Sequence, residues 1–136
     1  MKTLNFKKTM FPINVEFIDD YYRDQDRKVV DEFIISINRQ NWQESTFFDI
    51  NIGRIALYEI QMRYKLDSLD LDEKIWQYYL KQLKYCALLV IAANNFFLKN
   101  QIEKVIVYND LYSLNQTFLK TALKYGAEGI SLQASG

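Results

Sequence analysis

The chain predicts a helix-rich α/β fold, and three observations point to it. The short apolar run Val105-Ile106-Val107-Tyr108 is followed by a helix-period stripe and then by a second β-prone stretch, Ile130-Ser131-Leu132-Gln133. Upstream, an amphipathic pattern from about Leu71 to Lys99 turns apolar on every side between Tyr85 and Ala93, which marks a long buried helix. The 136 residues suffice for one compact domain, 1–136, and are too few for two of ordinary size.

Residues Met1 to Asn14 carry the only proline, Pro12, and are expected to be an extended lead-in. From Val15 to Arg39 the apolar positions Phe17, Ile18, Tyr21, Tyr22, Val29, Val30, Phe33, Ile34 and Ile37 recur at three- and four-residue steps, as on one helical face. The polar stretch Arg23 to Lys28 is a point at which that helix can split in two. Asn38 to Ser45 is polar, with Trp42 as its one large anchor, and predicts a loop. Residues 1–45 thus form a helical lead-in to a second region, 46–136.

Thr46 to Ile52 is a β-capable stretch ending at Gly53, and Ile55 to Tyr64 has helical spacing. Lys65 to Asp72 is a charged connector in which Ser68, Asp70 and Asp72 are candidate caps for the long helix. The first half of that helix should bury Ile75, Tyr78, Tyr79, Leu83 and Cys86, and Asn94, Asn95 and Asn100 should mark its fraying end. Val105 to Tyr108 suits a strand covered on both faces. Leu114, Phe118, Leu119, Ala122 and Leu123 predict a helix stripe, and Gly126 stands where a left-handed C-terminal cap belongs. Strand, helix and strand within this length make a right-handed parallel crossover. Two parallel strands are not a whole sheet, so the expectation is a piece of a longer α/β protein. The alternative is a small helical domain with a marginal sheet.

Composition removes several classes of function. Lys+Arg and Asp+Glu both number 17, so there is no general attraction to nucleic acid or anionic lipid. Without histidine there is no Ser–His or Cys–His pair and no histidine metal site. The single cysteine, Cys86, lies in an apolar run and reads as a small buried hydrophobe in a reducing compartment. The N-terminus lacks the apolar segment of a signal peptide, and the longest apolar run falls short of the ~20 residues that span a bilayer. A cytoplasmic protein without a transmembrane segment is expected, peripheral to a membrane at most. No metal and no cofactor are expected; the acidic group Asp67, Asp70, Asp72 and Glu73 resembles no metal loop and suits solvated capping.

In an open parallel sheet, ligands bind beyond the carboxyl ends of the strands, against helix N-termini. Two loops fall on that edge: Asn109-Asp110-Leu111-Tyr112-Ser113, followed by Asn115 and Gln116, and Ala134-Ser135-Gly136. The first concentrates hydrogen-bonding side chains suited to sugar hydroxyls. Against this, Asp110 or Ser113 can cap the helix and Asn109 can hold a turn. Neither GxGxxG nor GxxxxGK[ST] occurs; Gly53 and Arg54 form a weaker candidate, offering backbone N–H groups beside a cation at a helix start. The 10 tyrosines and 9 phenylalanines mostly fall at helical spacing, which favours core packing over stacking on ligands.

The order of Asn51-Ile52-Gly53-Arg54-Ile55-Ala56-Leu57-Tyr58, a long helix ending in an Ala/Leu run, Val105-Ile106-Val107-Tyr108-Asn109-Asp110-Leu111-Tyr112-Ser113-Leu114-Asn115, then Lys124-Tyr125-Gly126 and a closing Gln133-Ala134-Ser135-Gly136 resembles a known family. It is similar to the N-terminal half of bacterial capsular-polysaccharide and related glycosyltransferases with two Rossmann-like domains, the GT-B arrangement. The resemblance spans roughly Trp42 to Gly136. It implies a partial Rossmann-like N-domain on the acceptor side, with a saccharide acceptor as partner and the nucleotide sugar held mainly by a following domain. It further implies a place in surface-polysaccharide biosynthesis, in the cytoplasm or peripheral to the inner membrane. The first strands of such a domain are not found before Trp42, which suggests a fragment or shortened copy, not catalytically complete alone. Asp110, the one carboxylate of the loop, is then the candidate base or hydroxyl-orienting group. Asn109, Tyr112, Ser113, Asn115 and Gln116 would orient the acceptor. The competing expectation is a non-enzymatic helical interaction module that forms a homo-oligomer or binds a protein partner, and a third is a nucleotide-binding regulator with a flavodoxin-like core.

Overall fold

A computed structural model describes residues 4–5 and 13–134; the expected lead-in over Met1–Asn14 and the Ala134–Gly136 turn lie partly outside these residues. The chain is helix-rich α/β. Two short antiparallel pairs come first: β1 (Leu4–Asn5) with β2 (Asn14–Val15), and β3 (Thr46–Phe47) with β4 (Ile50–Asn51). Four helices, α1 (Asp24–Ser36), α2 (Ile52–Tyr64), α3 (Glu73–Lys99) and α4 (Ser113–Lys124), carry the core. A parallel pair, β5 (Lys104–Tyr108) and β6 (Glu128–Leu132), flanks α4 in sequence, giving the expected strand–helix–strand unit. Among the described residues the three pairs remain separate two-stranded sheets.

The N-terminal helical face is interrupted, but earlier than the polar stretch suggested. A 3-10 turn over Ile18–Tyr21 ends at Tyr22, which is extended, and α1 begins inside the polar stretch. The reason is local: the Asp26 carboxylate accepts the Arg23 backbone N–H at 2.8 Å and so fixes the start of α1. Thr46 to Ile52 is not one strand but a hairpin. Its two-residue turn, Phe48-Asp49, has φ of 45° and 65°, the twist that two-residue hairpins require. Lys124 at the end of α4 holds this tip, donating to the Phe48 carbonyl at 3.1 Å and pairing with Asp49 at 3.3 Å.

α3 is the spine. Asp72 caps it by accepting the Ile75 N–H at 2.8 Å, and the helix runs about 40 Å at 1.5 Å per residue. Its buried face in the first half is Trp76, Tyr79, Leu83 and Cys86; Tyr78, expected inside, is exposed and stacks on Tyr64. From Cys86 to Ala93 every residue is buried, as the all-round apolar pattern predicts, but Tyr85, the first residue of that run, is exposed. One core cluster gathers Val30, Ile52, Ile60, Tyr79 and Leu83 from α1, α2 and α3 with Trp42 from the loop after α1. A second gathers Ala93, Phe97, Val105, Val107, Ala122 and Ala127 around the β5–α4–β6 unit. Trp42 is the anchor of its loop: its ring meets Trp76 and Tyr79 edge-on, and its carbonyl accepts the buried Tyr79 hydroxyl at 2.6 Å. Asn94 and Asn95 lie within α3, not in a frayed end, and Asn95 donates to the Tyr21 carbonyl at 2.7 Å, tying the 3-10 turn to the spine.

Two expectations for the C-terminal unit change. β5 alternates exposed and buried residues: Val105 and Val107 face the core, whereas Ile106 and Tyr108 are 62% and 59% exposed. One face of the sheet is covered by helices and the other is bare. In α4 the fully buried positions are Ser113, Thr117, Thr121 and Ala122, while Leu114 and Leu123 are exposed. Thr117 and Thr121 donate their hydroxyls to the carbonyls of Ser113 and Thr117 at 2.7 and 2.9 Å. These small, self-satisfied side chains let α4 face α2 and α3, where Leu114 and Leu123 do not fit the inward side. The end of α4 matches its prediction. Gly126 has φ +83°, its N–H reaches the Leu123 carbonyl, and the Ala127 N–H reaches Ala122, a Schellman closure.

Gly53 is not a turn residue. It lies in the first turn of α2, its N–H donates to the Ser45 carbonyl at 2.9 Å, and a Cβ there would stand 2.4 Å from the Trp42 carbonyl oxygen and 2.8 Å from the Ser45 nitrogen. Both atoms are backbone and cannot rotate aside. Gly53→Ala is therefore expected to lose about 1–3 kcal/mol through overpacking, measured by urea denaturation; an unchanged midpoint would show that the Trp42 loop yields freely.

Candidate functional site

The turn that leaves β5 is stitched to the end of β6. Asn109 has φ +50°, a left-handed conformation that asparagine tolerates. Its N–H donates to the Leu132 carbonyl at 2.7 Å, its Oδ1 accepts the Leu111 N–H at 3.2 Å, and its carbonyl accepts the Tyr112 N–H at 3.2 Å. The Asp110 N–H donates to Ser131 Oγ at 3.3 Å, and Gln133 Nε2 donates to Asp110 Oδ1 at 3.3 Å. Neither Asp110 nor Ser113 supplies a side-chain cap; Tyr112 is the cap residue of α4 and makes no such bond. Asp110 is half-buried, Tyr112 is exposed, and Gln116 is half-buried, with its N–H bound to the Tyr112 carbonyl at 2.9 Å. Asn115 turns its Nδ2 back onto the carbonyls of Tyr108 and Asn109.

Ser113, expected to meet a ligand, is 0% exposed, and this is a correction with a clear cause. Its N–H donates to Glu59 Oε2 at 2.7 Å, and its Oγ accepts from Gln82 Nε2. Glu59 on α2 thus serves as the cap of α4 that α4 does not carry itself. The carboxylate stands at the positive end of the helix dipole and is also paired with Arg63 at 3.1 Å. Ser113 is a fastening point between α2, α3 and α4.

Gly53 is likewise corrected, and Arg54 beside it is engaged in an ion pair. The Gly53 N–H is already bound within the Trp42–Ser45 loop, so it forms no anion cradle. Arg54 pairs with Glu44 through Nε at 2.9 Å and through its terminal nitrogen, and its N–H donates to Asn51 Oδ1 at 3.1 Å. The guanidinium holds the Glu44 carboxyl below the usual range, mainly by hydrogen bonding. Both residues shape the start of α2 rather than joining the Asn109–Gln116 turn.

What sequence reasoning missed is the cavity beside that turn. A recess of about 690 Å³ lies between the Asn14–Tyr21 segment, the second half of α3 (Leu89, Ala92, Phe96), Val107 of β5, and Leu114 and Phe118 of α4. Asn115 belongs to both the turn and the cavity wall. Its size falls in the range of small-molecule pockets, roughly 300–1,000 Å³. No spacing in the sequence announces it, because its walls come from segments far apart in the chain. Gln82 and Glu59 had a fainter signal: Gln82 is a polar residue on the Tyr79–Leu83–Cys86 face. Nearby, burial pushes the Cys86 thiol up to about 11, so it stays protonated at neutral pH and is a poor nucleophile. Among the described residues, no group of three or more Cys, Asp or Glu side chains could hold a metal ion, and no helix is long and apolar enough to cross a membrane.

Compared with protein-family models, curated proteins and solved structures, the chain matches none.

Glu59→Ala removes the acceptor of a half-buried helix-start N–H and the partner of Arg63. A loss of about 1–3 kcal/mol in chemical denaturation is expected, with Glu59→Gln closer to the parent because it keeps an acceptor. Equal stability of Glu59→Ala and the parent would contradict the capping role.

Proposed function

We propose that this chain is a partial, acceptor-side domain of a glycosyltransferase of bacterial surface-polysaccharide biosynthesis. The resemblance of Asn51–Tyr58 and Val105–Asn115 to that family supports it, together with one geometric observation: the parallel β5–α4–β6 unit presents Asp110, Tyr112 and Gln116 at the carboxyl end of β5. That edge is where open parallel sheets hold ligands. A partial Rossmann-like origin is part of the same proposal.

In this reading Gln133 holds one Asp110 oxygen and so orients the carboxylate, leaving the other oxygen to accept an acceptor hydroxyl. As the acceptor oxygen bonds to the anomeric carbon and the bond to the departing diphosphate breaks, the hydroxyl proton passes to Asp110. Tyr112 and Gln116 would orient the sugar. Ser113, Gly53 and Arg54 have structural roles instead. The nucleotide sugar would belong to a second domain, so binding is the property to test on this chain.

A second reading has its own observation. Ile106, Tyr108 and Leu132 leave one face of the parallel pair bare, and such faces and strand edges recruit partners. An interaction module that oligomerises through this face would use it.

Titration of the chain with bacterial surface oligosaccharides, followed by amide NMR shifts, separates the two. The transferase reading expects a monomer whose Asp110, Tyr112 and Gln116 signals move, with Asp110→Ala weakening binding about 10- to 100-fold for the loss of a charge-assisted hydrogen bond. A stable oligomer without saccharide-induced shifts at the turn would sink it in favour of the module.

A further inference from the structure

The direction in which Asp110 points is set by the two peptides that flank Asn109, and both are held at each end. The first joins Tyr108 to Asn109. Its carbonyl accepts Asn115 Nδ2, and its N–H donates to the Leu132 carbonyl at 2.7 Å. The second joins Asn109 to Asp110. Its carbonyl accepts Asn115 Nδ2 at 3.3 Å and the Tyr112 N–H at 3.2 Å, and its N–H donates to Ser131 Oγ at 3.3 Å. Each peptide is thus tied to α4 through its carbonyl and to β6 through its N–H.

This arrangement has work to do, because Asn109 stands at φ +50°. That conformation is unfavourable for a residue with a Cβ, although asparagine tolerates it better than most. An untied chain relieves it by rotating the peptides on either side. Rotation of the second one is also a change in Asp110 φ, which swings the carboxylate away from Gln133 Nε2, now 3.3 Å from Asp110 Oδ1. Asn115 suits the task because its amide carries two hydrogens on one nitrogen, enough for both carbonyls.

We infer that Asn115 and Ser131 are positioning residues: together they lock the peptides around Asn109 and thereby aim Asp110. Asn115, expected from the sequence to orient the acceptor, uses its donors on the turn and acts through Asp110. What Asp110 does with a saccharide rests on the transferase reading above; the lock itself is read without any saccharide.

The test uses the full 136-residue chain, with NMR of Asp110 and Ser113 in the parent, Asn115→Ala, Ser131→Ala and Ser131→Thr. In both alanine variants the Asp110 amide should exchange about five- to tenfold faster, the effect of one lost hydrogen bond, and the Asp110 carboxyl-carbon signal should shift. For Asn115 this reports the peptide as a whole, because its side chain binds the opposite end from the Asp110 N–H. The Ser113 amide, held by Glu59, should keep its parent rate, which a general loosening of α4 would not allow. Ser131→Thr keeps the accepting oxygen and should restore parent values. Asn115→Asp serves if Asn115→Ala fails to fold: an acid suits the first turn of α4, yet its oxygens would face two carbonyls.

With bacterial surface oligosaccharides, Asn115→Ala should weaken binding about five- to tenfold, and should add nothing in an Asp110→Ala background. A direct sugar contact would weaken both by the same factor. A parent that binds no saccharide sinks the transferase reading alone, and the ligand-free signals then decide the lock. The positioning role is overturned by parent exchange and parent Asp110 signals in the folded Asn115 variant, by a Ser113 amide that speeds up equally, by Ser131→Thr behaving like Ser131→Ala, or by equal weakening in both backgrounds.

Discussion

A helix that is apolar on every side has to be enclosed, and residues Cys86 to Ala93 of α3 are such a helix. The rest of the chain is arranged to enclose it. α1 and α2 cover its first half with the Trp42 loop wedged between, and the β5–α4–β6 unit covers its second half. Both core clusters share this one element, so displacing α3 would separate them. A two-stranded parallel sheet has little stability by itself, and here it persists as a layer on α3 through Val105, Val107 and α4.

The candidate turn inherits its position from that arrangement. α4 meets α2 and α3 through serine and threonine, with Phe118 and Leu119 packed on the second core cluster, and its first N–H is received by Glu59 from α2 while Gln82 from α3 donates to Ser113. A single polar junction thereby fixes the helix start, and the Asn109–Gln116 loop is held between it and the end of β6. Half of the loop's polar groups are consumed in building it. The side chains of Asp110, Tyr112 and Gln116 stay outside that junction, while Ser113 is committed to the interior.

How much of this could be read from residues alone follows a physical division. The long buried helix, the strand–helix–strand order, the Gly126 cap and a cap among Ser68, Asp70 and Asp72 are set by neighbours within a few positions, and all four are present, the last at Asp72. The Phe48-Asp49 hairpin was hidden because its left-handed residues are neither glycine nor asparagine, the usual signal. The inward face of α4 was hidden because hydrophobicity marks Leu114 and Leu123, whereas close packing selected Thr117 and Thr121. Gly53 reads from the sequence as a backbone N–H donor at a helix start, and only the Trp42 carbonyl beside it reveals a packing role. Ser113, Glu59 and Gln82 come from three helices, and the cavity from segments more distant still. No local pattern encodes such meetings.

The central claim is that the start of α4 is fastened to the spine and so presents a preformed turn. Native-state hydrogen exchange reads this directly. The Ser113 amide should exchange as slowly as the amides of Leu88 to Ile91 in α3, through the same opening of the structure, while the Leu111 amide at the turn's exposed tip exchanges far faster. A Ser113 amide that exchanges as fast as Leu111 would contradict the claim, because it would show that the junction opens without the spine.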